Sequence, residues 1–163
     1  GAGRGGGGGY GYSDVNEDVS AYKIAAHNHQ PEIQQELANL REAPRPKVTF
    51  VPHLVPMTRG IHATCYAPLA RDITKADLLA AYREFYADAP FTKVVDAPPH
   101  TKHTLGTNMC LVHPTVDERN GMLVAVGVLD NLGKGAAGQA IENMNLMLGI
   151  EQKAGLDLPA VYP

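Results

Sequence analysis

The stretch from Ala25 to Ile33 constrains the fold of this chain most strongly, because it has to join an extended segment to a helix. An apolar run from Tyr22 to Ala26 predicts the end of a strand. Pro31 is favoured in the first turn of a helix, where its missing N–H needs no partner. His27 and His29 are therefore expected between a strand end and a helix start.

These two histidines are candidates for acid–base chemistry. If the strand continues through them, its two-residue period places both imidazoles on one side. The positive end of the following helix dipole disfavours the imidazolium form and leaves a ring nitrogen able to accept a proton. His27 and His29 are thus interpreted as a possible general base. The alternative is a pair of surface histidines at a helix start.

Length, composition and charge argue against several classes of protein. The 163 residues suit one domain, which can bury a core without disulfides or a metal. A net charge of -3 gives no electrostatic reason to expect nucleic acid or an anionic membrane as a partner. The longest apolar runs are far shorter than the roughly 20 residues that a membrane span needs. Two cysteines, Cys65 and Cys110, argue against a disulfide scaffold and favour the cytoplasm.

Hydrophobic periodicity predicts an α+β fold. Strands are expected at Lys47 to Val55, Gly60 to Tyr66, Phe91 to Val95, Met109 to Val112 and Met122 to Leu129. The last of these is nearly continuous in apolar residues, which is typical of a central strand. Because strands follow strands and helices are inserted singly, we expect a mixed, largely antiparallel sheet with helices on one face.

Three helices are expected. The first runs from Pro31 to Leu40, and the second opens at a possible cap formed by Thr74 and Asp77, with Leu78, Tyr82 and Phe85 as its buried stripe. The third, Gly135 to Leu148, carries the apolar stripe Ala137, Ala140, Ile141, Met144 and Leu148 and further apolar residues beside it. A helix that is apolar over more than one face is expected to be surrounded, so its second neighbour is expected to lie outside this chain.

The N-terminal segment is dominated by glycine. Gly1 to Gly6 formally match G-x-G-x-x-G, but that fingerprint requires a strand before it and a helix after it, which the sequence does not offer. The segment is either a flexible linker or a loop whose backbone N–H groups approach a bound ligand. The absence of an opening Met, in a chain that starts inside such a segment, suggests a piece of a longer protein.

Four blocks of the sequence resemble the N-acetyl-gamma-glutamyl-phosphate reductase family. They are Gly1 to Arg4, His27 to Ile33, Val55 to Cys65, and Asp130 to Gly135 followed by Met144 to Leu146. They occur in the family's order and extend over the whole chain. The resemblance covers the C-terminal half of the family, its substrate-binding and dimerisation domain. This half resembles the C-terminal domain of glyceraldehyde-3-phosphate dehydrogenase-like and semialdehyde dehydrogenase enzymes.

The resemblance implies a reaction and its partners. The family reduces N-acetyl-glutamyl phosphate with NADPH to the semialdehyde in arginine biosynthesis. A cysteine thiolate attacks the acyl phosphate, hydride transfer reduces the thioester, and a histidine handles the protons. The implied partners are NADP, a small-molecule substrate and further copies of the chain, as a dimer or a tetramer.

The resemblance also assigns site residues. His27 lies on the family's catalytic histidine, with His29 as a second candidate. The substrate-binding candidates are Arg59 and Arg4, since a planar bidentate donor suits a carboxylate or phosphate. The cofactor-binding candidates are Gly3, Asn131 and Lys134.

The resemblance further divides the chain into three parts. Residues 1–21 are the glycine-rich and polar segment, and residues 22–129 the substrate-binding and dimerisation domain. Residues 130–163 are a return loop, helix and tail expected to pack on a cofactor-binding domain.

The chain departs from the family pattern in places. Asn28 and Gln30 stand where the family usually has Arg and Thr. The family's nucleophile belongs to a Gly-Cys-Tyr motif at a helix N-terminus, which this chain lacks. Cys65 precedes a tyrosine but is predicted in mid-strand, so it is interpreted as a core residue, as is Cys110.

Three other functions stay open. The spacings of His27 with His29 and of His100 with His103 are typical of metal ligands, although no cysteine or carboxylate joins either pair at a recognised interval. The chain taken alone is expected to be inactive, since hydride transfer needs a cofactor platform, so it could serve only as a dimerisation module. The third alternative is the lysine-pathway relative, which acts on a protein-carried aminoadipyl phosphate.

Overall fold

Two units make up the chain, Gly1–Thr58 and Arg59–Pro163. The computed structural model describes residues 11–40 and 46–161. The predictions made for most of the glycine-rich segment, including Gly3 and Arg4, therefore lie outside the described residues.

The first unit contains two helices and a short two-stranded ladder in its described part. Helix α1 is Tyr12–Val15 and helix α2 is His29–Asn39. Strands β1 (Ser20–Ala21) and β2 (His53–Leu54) pair in antiparallel fashion. The ladder is thus only two residues long on each side.

The strand predictions for this unit are wrong. In place of a strand end at Tyr22 to Ala26, the backbone turns, with Lys23 and Ala25 in the left-handed region at φ 45° and 53°. Of the strand predicted from Lys47 to Val55, only β2 forms. It directly follows Pro52, which has no N–H to donate to a ladder. The helix prediction is confirmed, although α2 begins two residues earlier than expected, at His29.

The described residues of the second unit form a four-stranded mixed sheet in the order β3-β6-β5-β4. The strands are β3 (Ile61–Pro68), β4 (Thr92–Val94), β5 (Cys110–Asp117) and β6 (Met122–Leu129). Strand β6 pairs in antiparallel fashion with both β3 and β5, whereas β4 runs parallel to β5. The predicted mixed, largely antiparallel sheet is confirmed, and β6 is central as its apolar run indicates.

Helix α3 (Lys75–Phe85) packs against β4 and β5 and is capped as predicted. The Asp77 N–H donates to the Thr74 hydroxyl oxygen at 3.1 Å. Leu78 is 6% exposed and belongs to the core together with Phe91, Val128 and Leu156. Phe85 is 80% exposed, so its predicted burial is wrong: it is the last residue of α3, and its ring lies edge-on against neighbouring Tyr86.

Strand β3 is exposed along nearly its whole length, because it is an edge strand with a neighbour on one side only among the described residues. Tyr66 is 69% exposed and Ile61 is 41% exposed. Cys65 lies in mid-strand as predicted, but it is exposed, so its interpretation as a core residue is wrong.

The C-terminal helix has an unusual start and an inverted burial pattern. A π-helical segment, Gly133–Ala137, leads into α4, Gly138–Met147. The buried residues of α4 are Gly138, Glu142 and Asn145. The predicted apolar stripe points the other way, with Met144 48% exposed.

The polar face of α4 is buried because it is hydrogen-bonded. The Glu142 carboxylate accepts from Lys134 Nζ at 2.6 Å, Gln152 Nε2 at 2.7 Å and Asn108 Nδ2 at 2.8 Å. The Asn145 amide donates to two backbone carbonyls of the segment that follows α4. Burial alone would raise the pKa of Glu142, but the three hydrogen bonds hold it below its ordinary value.

Replacing the cap of α3 is expected to weaken the second unit. Thr74→Ala removes the acceptor for the Asp77 N–H and should lower the free energy of unfolding by about 1 kcal/mol. Urea denaturation measures the change. Thr74→Ser keeps a hydroxyl and is the matched control; equal losses in both variants would contradict a capping role.

Acidification is expected to destabilise the chain partly through Glu142. A carboxyl group whose pKa is lowered by folding stabilises the fold above its unfolded value, here about 4.5, and loses that contribution as the pH falls through the folded value. Glu142→Gln should therefore flatten the acid side of the stability curve. It should also cost roughly 3 kcal/mol at neutral pH, because it leaves Lys134 without its charged partner.

Chemical denaturation at a series of pH values measures both effects of Glu142→Gln. Glu151→Gln, at an exposed glutamate, is the control. An acid limb that is equally steep in the wild type and in Glu142→Gln would refute the assignment to Glu142.

Candidate active-site residues

The rings of His27 and His29 lie together, as predicted, with centroids 4.7 Å apart. The cause is a turn and a helix start, not a strand that continues through both residues. Phe50 and Tyr22 contribute ring edges to the same cluster, at 5.2 Å and 5.6 Å from His27. His27 is half-buried by these neighbours, whereas His29 is exposed.

A hydrogen bond assigns the nitrogens of His27. The His29 backbone N–H donates to His27 Nδ1 at 3.2 Å. In the neutral ring Nδ1 is then the acceptor, and the proton is on Nε2. The ring can donate a hydrogen bond from Nε2 without rearrangement, and it can take up a proton only at the nitrogen that the amide occupies.

The surroundings of His27 favour the neutral ring. Desolvation lowers the pKa of His27, and the positive charges of His29 and Lys23 lower it further. Glu32, in the first turn of α2, opposes these effects without reversing them. This direction agrees with the expectation that the imidazolium form is disfavoured, and desolvation is its largest cause.

Arg59 is held by a buried carboxylate in the second unit. Its Nε donates to Asp130 Oδ1 at 3.0 Å, and its Nη2 lies 2.7 Å from Asp130 Oδ2. The Asp130 side chain is 0% exposed and that of Arg59 is 34% exposed. This is the bidentate geometry that a guanidinium group gives with a planar anion, here within the protein itself.

Asp130 also accepts three backbone hydrogen bonds. The donors are the N–H groups of Gly106 at 2.6 Å, Leu132 at 2.9 Å and Gly133 at 3.2 Å. Burial alone would raise the pKa of Asp130, but these bonds and Arg59 hold it below its ordinary value. The carboxylate therefore stays charged at neutral pH inside the protein.

Asn131 and Lys134 follow Asp130 and are fixed by other contacts. Asn131 Oδ1 accepts from the Gly60 N–H at 2.6 Å. Lys134 is paired with Glu142, and its Nζ lies 5.6 Å from the centroid of the Phe91 ring. Both residues belong to the segment between β6 and α4, in which the π-helix begins. π-helical turns occur often at functional sites.

The structure thus places the predicted site residues in two groups. Arg59, Asn131 and Lys134 lie in the second unit, where β6 ends and β3 begins, and the Asp130 and Asn131 side chains connect these two segments. His27 and His29 form the cluster of the first unit. Gly3 and Arg4 lie outside the described residues.

The described part of the chain contains no group of three His, Cys, Asp or Glu side chains that could hold a metal ion. The rings of His100 and His103 are stacked with centroids 5.0 Å apart, and the His100 N–H donates to His103 Nδ1 at 3.1 Å. This pair caps a short 3₁₀ helix, Thr101–Thr104. Within residues 11–40 and 46–161, no helix is long and apolar enough to cross a membrane.

Sequence reasoning missed Asp130 and Glu142. Asp130 ends the apolar run of β6 and precedes Asn131, and aspartate in such a position commonly accepts N–H groups two and three residues later. That signal was available. Glu142 gave none, because a glutamate within a helix is normally solvated.

Comparison with known proteins places this geometry in a family. Residues 1–131 match the family model for the semialdehyde dehydrogenase dimerisation domain. Among curated proteins, an N-acetyl-gamma-glutamyl-phosphate reductase of Dehalococcoides mccartyi strain CBDB1 is 51% identical over 152 residues, covering 93% of this chain and 45% of that protein. Proteins of the same name from Brevibacillus brevis and Bradyrhizobium sp. strain BTAi1 are each 47% identical over the whole chain, covering 47% and 50% of their lengths. The resemblance drawn from the four blocks is confirmed.

Solved structures agree on the fold. The crystal structure of aspartate semialdehyde dehydrogenase II from Vibrio cholerae has a TM-score of 0.64 at 15% identity, covering 83% of this chain and 42% of that one. The same enzyme complexed with ASA gives 0.58 at 17% identity, covering 75% and 37%. The chain spans about half the length of the curated relatives it matches. From the family match and the shared fold, the chain belongs to the semialdehyde dehydrogenase dimerisation-domain family.

Proposed function

We propose that this chain is the substrate-binding and dimerisation part of an N-acetyl-gamma-glutamyl-phosphate reductase. That enzyme would reduce N-acetyl-glutamyl 5-phosphate to N-acetyl-glutamate 5-semialdehyde, with release of phosphate, in arginine biosynthesis. The observation that carries the proposal is the 46–51% identity with proteins of that name over at least 93% of the chain. A cytoplasmic location fits such an enzyme and its free cysteines.

His27 is the proposed catalytic residue, with His29 as the second candidate. Because the His29 amide occupies Nδ1, the neutral His27 ring presents an Nε2–H group. That group can donate a hydrogen bond to an oxygen on which negative charge develops. Half-burial and a lowered pKa favour the neutral ring, which carries this N–H group. His29 contributes its backbone N–H in this arrangement, and its exposed ring stays a candidate for proton exchange with solvent.

Arg59 and Arg4 are the proposed contacts to the anionic parts of the substrate. Arg59 supports this role through its position: the side chain is 34% exposed and its guanidinium is held in one orientation by Asp130. A planar donor fixed in this way suits a carboxylate or a phosphoryl group. Arg4 is proposed on the resemblance alone.

The proposed cofactor is a nicotinamide dinucleotide, and more specifically NADP, which supplies the hydride when it is bound. The donor set near Asn131 fits a carboxamide. Asn131 Oδ1 accepts the Gly60 N–H, so the Asn131 Nδ2 group is oriented as a donor. Nδ2 has no hydrogen bond to any described residue. Gly3 and Lys134 complete the proposed contacts. The Lys134 side chain is 15% exposed and paired with Glu142, which favours a positioning role over a direct contact to a phosphate.

The exposed apolar face of α4 supports the proposed division of the chain. In that division, residues 1–21 are the N-terminal segment, residues 22–129 bind substrate and dimerise, and residues 130–163 pack on a cofactor-binding domain. Ile141 is 39%, Met144 48% and Leu148 66% exposed on a helix whose polar side is buried. An apolar helix face of this size normally has a partner.

A second copy of the chain is the proposed partner of the β3 face. Strand β3 is eight residues long, lies at the edge of the sheet and is exposed on both faces. Tyr66 and Ile61 are large apolar side chains within it. Long exposed edge strands are avoided in monomers, and the family is named for dimerisation. A dimer would cover these residues, and a tetramer would need a further surface.

Replacing His27 in the full-length protein tests the reductase proposal. The assay follows phosphate-dependent reduction of NADP by N-acetyl-glutamate semialdehyde. His27→Ala should lower kcat by roughly 100-fold or more, with a smaller effect on the KM for NADP, because the hydrogen-bond donor to the developing oxyanion is lost. His53→Ala, at an exposed histidine of the same unit, is the control.

Two outcomes of this assay would count against the proposal. One is a wild-type enzyme that accepts only the aminoadipate semialdehyde on its carrier protein, which would reassign the substrate. The other is reductase activity from the 163 residues alone, which are expected to be inactive because hydride transfer needs a cofactor platform.

A charge on the exposed face of β3 is expected to disrupt the proposed dimer. Tyr66→Glu should shift the molar mass measured by light scattering from dimer toward monomer, because a carboxylate would be desolvated at the interface. Phe85→Glu is the matched control, since Phe85 is also an exposed aromatic residue but lies on α3. A wild-type protein that is monomeric at every concentration would refute the interface.

A further inference from the structure

We propose that Asp130 is the positioning residue of the substrate site: it holds Arg59 by one edge and leaves the other edge of the guanidinium group to an oxyanion of the substrate. The inference rests on the proposed function, because Arg59 is a substrate contact only within it. It adds a residue to which neither the motifs nor the family resemblance gives a role.

The geometry distinguishes the two edges of Arg59. A guanidinium group can offer a carboxylate either its Nε and Nη2 or its Nη1 and Nη2. Asp130 takes the first edge, at 3.0 Å and 2.7 Å. Among the described residues none forms a hydrogen bond with Nη1, and the Arg59 side chain is 34% exposed while Asp130 is fully buried. The second edge thus has no hydrogen-bond partner among the described residues, and it belongs to a guanidinium group that Asp130 holds in one orientation.

Asp130 is suited to this task because it is itself immobile. Its oxygens accept N–H groups from two separate segments, Gly106 before β5 and Leu132 with Gly133 after β6. A rotation of the carboxylate would leave these buried donors unpaired. Arg59 is consequently ordered before the substrate binds, and the rotamer entropy of a long side chain is not lost at that moment.

The backbone beside Arg59 is fixed by the neighbour of Asp130. Asn131 Oδ1 accepts the Gly60 N–H at 2.6 Å, and Gly60 has a φ of 124°, which side-chain-bearing residues rarely adopt. Asp130 and Asn131 thus hold the side chain and the main chain of the same two residues, Arg59 and Gly60.

The charge balance predicts what kind of ligand this arrangement recognises. Asp130 neutralises Arg59, so attraction of anions over a distance is weak and recognition depends on direction. A planar or tetrahedral oxyanion can accept the two N–H groups on two separate oxygens, whereas a spherical anion has to accept both on one atom. The carboxylate and the phosphoryl group of the substrate are both oxyanions of this kind. Separate KM values for semialdehyde and for phosphate distinguish them.

The experiment measures the KM for semialdehyde, phosphate and NADP in the full-length protein. Asp130→Asn should raise the KM for semialdehyde or for phosphate at least about tenfold and leave kcat and the KM for NADP within about threefold. Asp96→Asn, which breaks the exposed pair with Arg83, is the matched control and should leave all three KM values unchanged. Arg59→Lys keeps the charge without the two edges, and the same selective rise is expected. If Asp130→Asn does not fold, the exchange rate of the Arg59 Nε–H in the wild type decides the question.

The outcomes separate this inference from the proposed function. An inactive wild type refutes the reductase proposal. If the wild type is active, the positioning role is overturned when Asp130→Asn leaves the KM values unchanged, or when it lowers the KM values and kcat by the same factor. The clamp, meaning the contact of Asp130 with Arg59, is tested without activity by labelling arginine with ¹⁵N in the full-length protein. The Arg59 Nε–H should exchange slowly in the wild type and rapidly in Asp130→Asn; rapid exchange in both would overturn the clamp.

Discussion

The second unit depends on a carboxylate that has been removed from water. A buried charge is costly unless it is paired and fully hydrogen-bonded, and Asp130 meets that condition with five donor groups. These donors come from the segments before β3, before β5 and after β6. The ends of three strands are therefore held at one point, and the proposed substrate and cofactor residues Arg59 and Asn131 lie beside it. Positioning of the site and stability of the unit have the same source.

A second buried carboxylate orders the C-terminal helix in the same way. Glu142 accepts hydrogen bonds from Lys134, Gln152 and Asn108, so that the polar side of α4 faces inward. The apolar side of α4 and nearly all of β3 are left exposed. The partners proposed for these two apolar surfaces are a cofactor-binding domain for α4 and a second copy of the chain for β3.

Prediction succeeded where local chemistry and burial agree. Strand β6 is read correctly to the residue, since a strand with neighbours on both sides is apolar along its length. The cap of α3 depends on two residues only, Thr74 and Asp77. The strand predictions around Tyr22 and Lys47 are wrong because the apolar residues there lie in turns and irregular segments and not in a sheet. Cys65 and Phe85 were misassigned because periodicity gives a face but not what covers it.

Because motifs and apolar patterns lie in consecutive residues, the family, the mixed sheet and the candidate residues can be predicted from the chain without its fold. The fold was needed to show that Arg59 is held by a residue 71 positions away, that the Nδ1 of His27 accepts a hydrogen bond, and that α4 buries its polar side. This is because the free energy of a buried charge depends on every donor around it. Those donors are brought together by the fold and are not adjacent in the chain.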